Sequence, residues 1–110
     1  MSVLFSAMKI GNVELPNRFV NSATYEAMAK ETGEVSDELI KRYERLAKGG
    51  VGFIITGMMF VYHLGRGYKH QIGIHHDSMI EGLKKLVVCI KREARLHSNW
   101  PIVEGKPQKI

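Results

Sequence analysis

The apolar positions change their period several times along the chain, and each change predicts an element. Met8-Lys9-Ile10 and Val13-Glu14-Leu15 alternate apolar and polar, with Gly11-Asn12 between them, which predicts a short β-hairpin. Pro16 closes the second strand because it has no N–H to give to a ladder. Asn17 to Thr24 reads as a strand running into small polar residues, followed by a loop that turns at Gly33. From Ser36 the period becomes helical. Ser36 is placed as N-cap, Asp37 and Glu38 suit the positive end of the helix dipole, and Leu39, Ile40, Tyr43, Leu46 and Ala47 share one face. Gly49-Gly50 ends the helix, where a left-handed residue favours glycine.

Val51-Gly52-Phe53-Ile54-Ile55-Thr56 is apolar without alternation and continues through Gly57-Met58-Met59, which predicts a parallel strand buried on both faces. A loop of about twenty residues follows, a length that suggests a functional loop. It carries Gly65-Arg66-Gly67 and His75-His76-Asp77. Ser78 and Glu81 have the spacing of a capping box for a second helix, whose buried stripe is Met79, Ile80, Leu83, Leu86, Val87 and Ile90. Lys84, Lys85, Lys91 and Arg92 fall on its outer side. Strands alternating with helices imply a parallel sheet with right-handed crossovers, either an open doubly wound sheet or a (β/α)8 barrel. The leading hairpin suits a plug over the N-terminal end of a barrel. Two βα units are an incomplete version of either fold.

Composition narrows the function classes. The 110 residues are 45% hydrophobic and 25% charged, as in a globular domain. The net charge of +5 is scattered among acidic residues, and no aromatic–basic alternation accompanies it, so a nucleic-acid surface is not expected. No apolar run is long enough to span a membrane, and the N-terminus lacks the pattern of a signal peptide. Cys89 stands alone in an apolar run, which excludes an internal disulfide and fits a small core residue in a reducing, cytoplasmic setting. Adjacent His75 and His76, without a second pair at helical spacing, are read as surface or capping residues and not as metal ligands. Gly65 and Gly67 are read as turn residues and Arg66 as a loop anchor, because no helix begins beside them to hold a phosphate.

An ordered set of segments resembles a known family. Leu4-Phe5-Ser6-Ala7-Met8-Lys9-Ile10-Gly11, Leu15-Pro16-Asn17-Arg18-Phe19-Val20, the run Tyr43 to Thr56, Gly65-Arg66-Gly67 and Gln71-Ile72-Gly73-Ile74 resemble the opening of old yellow enzyme family NAD(P)H:flavin oxidoreductases. The resemblance implies the N-terminal part of a (β/α)8 barrel holding FMN at the C-terminal ends of its strands. It implies NAD(P)H and an activated alkene as reaction partners. It also places the flavin floor at Ser22, Ala23, Thr24 and Tyr25, with Gly57 and Met58 at the end of the next strand. Ala23 stands where the family usually has proline, Tyr25 where it often has threonine or cysteine, and Met58 is bulkier than the family's residue. The catalytic donors, the catalytic tyrosine and the phosphate site of the family lie in later strands, so no catalytic residue is assigned in this chain. Tyr25, Tyr62 and Tyr68 are read as packing or loop residues.

The resemblance covers residues 1–94 and stops there. Starting from Ala94, the codons of residues 94–110 permit A-K-I-A-F-Q-L-A-H-C-G-R-Q-T-T-K-D once the frame is shifted, close to the family's third strand. The expectation is therefore an N-terminal piece of the enzyme, inactive alone, with a frameshifted tail. Two alternatives stand beside it. A small α/β binding or assembly module would pair through its sheet. An open flavodoxin-like domain would need a phosphate loop after its first strand, which Tyr25-Glu26-Ala27-Met28 does not offer.

Overall fold

The computed structural model describes residues 2–92 and, as backbone, the strand 95–99. A 3₁₀ turn at Val3–Phe5 leads into the predicted hairpin, β1 (Met8–Ile10) and β2 (Val13–Leu15). The two strands pair antiparallel, Met8 opposite Leu15, around Gly11 at φ +57°. Leu15 is buried at the hairpin's base, whereas Met8, Ile10 and Val13 are exposed.

The expected strand over Asn17–Thr24 shrinks to β3 (Val20–Asn21). Asn17 explains the loss at its start. Its Nδ2 donates to the Gly50 carbonyl at 2.6 Å and its Oδ1 accepts from the Phe19 amide at 3.0 Å, so it serves the next crossover and not a ladder. A Cβ on Gly52 would lie 2.6 Å from Asn17 Oδ1, which is why this turn carries a glycine.

The first helix, α1 (Asp37–Lys48), has the predicted bounds and cap. Ser36 Oγ accepts from the Leu39 amide at 3.1 Å and donates to the Met28 carbonyl, tying the helix start to the loop before it. Leu39, Tyr43 and Ala47 are buried. Gly50, at φ +96°, provides the left-handed turn into β4 (Phe53–Phe60). Strand β4 runs parallel to β3 on one edge, Val20 opposite Phe53, and to β6 (Arg95–Asn99) on the other, Phe53 opposite Arg95. Its far end pairs with an unexpected short strand, β5 (Ile72–Gly73), Met59 opposite Ile72. That pairing gives part of the long loop a place in the sheet.

The second helix, α2 (Ile80–Lys91), corrects two expectations. The capping box does not form. A 3₁₀ turn at Asp77–Met79 precedes the helix, and the His76 ring accepts from the Ser78 amide at 3.1 Å. Ser78 Oγ is engaged with His76 Nδ1 at 3.0 Å, and Glu81 faces Lys84. The buried stripe is narrower than the sequence implied: Met79, Leu86 and Ile90 are buried, Leu83 and Val87 half-buried, and Ile80 is 45% exposed. Cys89 is half-buried and not in the core, and burial raises its thiol pKa.

The core lies between the helices and one face of the sheet. Leu39, Tyr43 and Ala47 of α1 meet Ile54 and Met59 of β4, Ile72 of β5, and Leu86 and Ile90 of α2. On the other face of β4, Phe53, Ile55 and Met58 are only half-buried, and Val20 of β3 is 48% exposed. The expectation of burial on both faces therefore holds for one. The result is a partial barrel: parallel strands covered by helices on one face, with no closed ring among the described residues.

Candidate flavin-floor site

The candidate site lies at the C-terminal ends of β3 and β4. Parallel pairing carries the two strand ends out side by side. Ser22, Ala23 and Thr24 continue β3 as extended, exposed chain, with Thr24 Oγ1 donating to the Ser22 carbonyl at 3.2 Å. The Thr24 carbonyl lies 2.6 Å from where a Cβ on Gly57 would stand. The structure thus brings Thr24, at the end of the Ser22–Thr24 segment, against Gly57, with half-buried Met58 following on β4.

Tyr25 is turned toward the long loop. Its hydroxyl donates to the Lys69 carbonyl, and its ring meets Tyr68 at 5.1 Å. Burial raises its pKa, with the Glu26 charge adding to the effect. Tyr25 therefore makes the loop contact read from the sequence.

Two residues beside the shelf at Ser22–Thr24 carried no functional reading in the sequence. Glu26 fills the space a side chain on Gly57 would need, and a Cβ there would collide with its Oε2. Tyr43 Oη donates to Glu26 Oε2 at 3.2 Å and accepts from the Gly57 amide at 2.8 Å. Burial raises the Glu26 pKa above the usual carboxylate value, against the opposing effects of its backbone hydrogen bond, the Tyr43 hydroxyl and the Arg42 charge. Burial, followed by the Glu26 charge, likewise raises that of Tyr43. Helical spacing marked Tyr43 as core, which is correct for its ring. Nothing in the period indicates that its hydroxyl reaches a carboxylate 17 residues earlier.

The long loop is held by its own polar groups. Gln71 is buried, and its Oε1 accepts from the Gly67 amide at 2.9 Å and the Tyr68 amide at 3.2 Å. Arg66 donates to the Tyr68 carbonyl at 3.1 Å and sits over the Phe60 ring, the anchor role expected of it. His75 stacks against Phe60 at 4.6 Å, and burial lowers its pKa. Among the described residues no cluster of His, Cys, Asp or Glu could hold a metal ion, and no helix is long and apolar enough to cross a membrane.

Comparison with known proteins gives this geometry its context. The family model for the NADH:flavin oxidoreductase / NADH oxidase family matches residues 3–96. A metal reductase from Desulforamulus reducens is 33% identical over 93 residues, covering 84% of this chain and 14% of that protein. Among solved structures, a 2-naphthoyl-CoA reductase in complex with 2-naphthoyl-CoA superposes with a TM-score of 0.87 at 32% identity, covering 91% of this chain and 16% of the other. Old yellow enzyme from Pichia sp. AKU4542 shares the fold, with a TM-score of 0.82 at 24% identity over 89% of this chain and 26% of its own. The chain thus spans 14–26% of the length of these proteins, and within that span it shares the fold of the two solved structures. By sequence and by fold, the chain belongs to the NADH:flavin oxidoreductase / NADH oxidase family, the old yellow enzyme family.

Proposed function

We propose that this chain carries the first strands of an FMN-dependent NAD(P)H oxidoreductase barrel, contributes part of the flavin floor, and is inactive by itself. The observation that carries this reading is the meeting of Thr24, at the end of the Ser22–Thr24 segment, with Gly57 at the C-terminal sheet edge, where this fold places its chemistry. Ser22 and Ala23 are small and exposed, so a planar ring can approach the backbone there. Such residues fit a flavin. Gly57 fits in a different way from the one its size suggested, since its vacant side-chain position is taken by Glu26.

When bound, FMN supplies hydride transfer between NAD(P)H and an acceptor, here an activated alkene. The residues of this chain position it: Ser22, Ala23 and Thr24 offer backbone, Tyr25 bounds the shelf, and Met58 contributes apolar surface beside it. The phosphate of such a cofactor is held in this fold by loops after strands seven and eight. Those loops are not among the described residues, and the proposed inactivity of the 110 residues rests on that.

Residues 95–110 are proposed to be the product of a shifted frame. The gene tests both proposals. The gene from codon 94 onward, read in the neighbouring frame after Ala94, is expected to encode A-K-I-A-F-Q-L-A-H-C-G-R-Q and to continue through a barrel. Joining the frames is expected to give a yellow protein that oxidises NAD(P)H with an enone as acceptor. A neighbouring frame without that reading, or a joined chain that purifies colourless, contradicts the proposal.

A further inference from the structure

We propose that Glu26 is a positioning residue of the shelf: seated in the space left by Gly57 and joined to the Gly57 amide through Tyr43, it sets the exit of β3 against β4. The name flavin shelf rests on the function proposed above; the geometry of the latch does not. Three elements meet at it. Glu26 follows directly on Ser22–Tyr25, Tyr43 projects from α1, and Gly57 belongs to β4. The hydrogen bonds run in one direction, from the Gly57 N–H to Tyr43 Oη and from the Tyr43 O–H to the Glu26 carboxylate. The ladder between β4 and β6 is irregular between Ile55 and Met58, where Gly57 lies and its amide goes to Tyr43. Irregularities of this kind concentrate beside functional sites because they re-aim the chain. The position of the shelf therefore depends on an acceptor at residue 26, and a side chain at residue 57 is excluded.

The latch is linked to protons. The charged or titratable groups acting on Glu26 are Tyr43 and Arg42 from α1 and Tyr25 from its own segment; from β4, the Gly57 amide reaches it through Tyr43. Because folding raises the Glu26 pKa, the folded chain holds that proton more tightly than the unfolded one. The contribution is fully present below the ordinary carboxylate value and is lost as pH rises through the folded value.

The test is a pH titration of the whole chain by NMR, following the Glu26 carboxyl carbon and the Thr24 and Gly57 amides. The expected result is a Glu26 midpoint above that of an ordinary carboxylate, with the Gly57 amide moving at the same midpoint. In Tyr43→Phe the Gly57 amide stops following while Glu26 still titrates. In Glu26→Gln the Gly57 amide is flat, and the thermal midpoint at neutral pH is no lower than in the parent chain. A role in packing alone would shift the melting temperature without uncoupling the two titrations. A Gly57 amide that ignores Glu26 in the parent chain, or still follows it in Tyr43→Phe, overturns the proposal. Melting curves between acid and neutral pH give a second readout. The parent chain is expected to gain stability as pH falls through the Glu26 midpoint, and Glu26→Gln to lose that slope; equal slopes overturn the proposal. No flavin is involved, so failure here leaves the family reading untouched.

Discussion

The two faces of β4 have the same kind of sequence and different surroundings. Ile54 and Met59 belong to the core completed by α1 and α2 and are buried, whereas Phe53, Ile55 and Met58, on the second side, are half-buried. In a (β/α)8 barrel that second side is filled by layers of side chains from alternate strands of the ring. An apolar run without alternation therefore records what the strand is built to meet. Among the described residues, α1 and α2 supply the helix layer, and the inner side leaves Phe53, Ile55 and Met58 half-exposed.

Substitutions on the two faces should differ most. Ile54→Ala opens the helix-facing core and is expected to cost about 2–4 kcal/mol, enough to unfold a chain of ordinary marginal stability. Ile55→Ala, the same change one residue on, should cost about 1 kcal/mol or less, since a half-exposed side chain leaves no closed cavity. Denaturant melts of the pair measure the difference, and equal losses would show that the inner face is covered in solution. Gly33→Ala comes next. Its φ of +94° and a Cβ position 2.9 Å from the Phe60 ring predict a loss of about 1–3 kcal/mol, measured in the same melts.

The helix starts sharpen the contrast further. Ser36→Ala removes the bond to the Leu39 amide and is expected to cost about 1 kcal/mol. At α2, His76→Ala should cost about 0.5–1 kcal/mol because His76 caps the Ser78 amide. Ser78→Ala should cost less than His76→Ala, whereas a capping box at Ser78 and Glu81 would reverse that order.

What the sequence made legible follows from the range of the forces involved. The hairpin, α1 with its Ser36 cap and the Gly50 turn are set by residues within a turn or two of each other, and all three appear as read. Strand β3 could not be sized from its own residues, because Asn17 is committed to Gly50, 33 positions away. The Ser78–Glu81 spacing was correct for a cap, yet His76 reached the free amide first. Strand β5 lies in a segment without strand periodicity and exists only through the end of β4. At the candidate site, the family resemblance proposed Ser22–Tyr25 and Gly57–Met58, and of these the structure sets Thr24 against Gly57. The latch between Glu26, Tyr43 and Gly57 was invisible because it joins three elements through one hydroxyl group.

The central claim is that this chain forms part of a flavin floor but does not hold a flavin. Fluorescence titration of FMN with the purified 110-residue chain tests it directly. The account predicts no saturable quenching and no yellow complex after desalting. A stoichiometric FMN complex that oxidises NAD(P)H would contradict it.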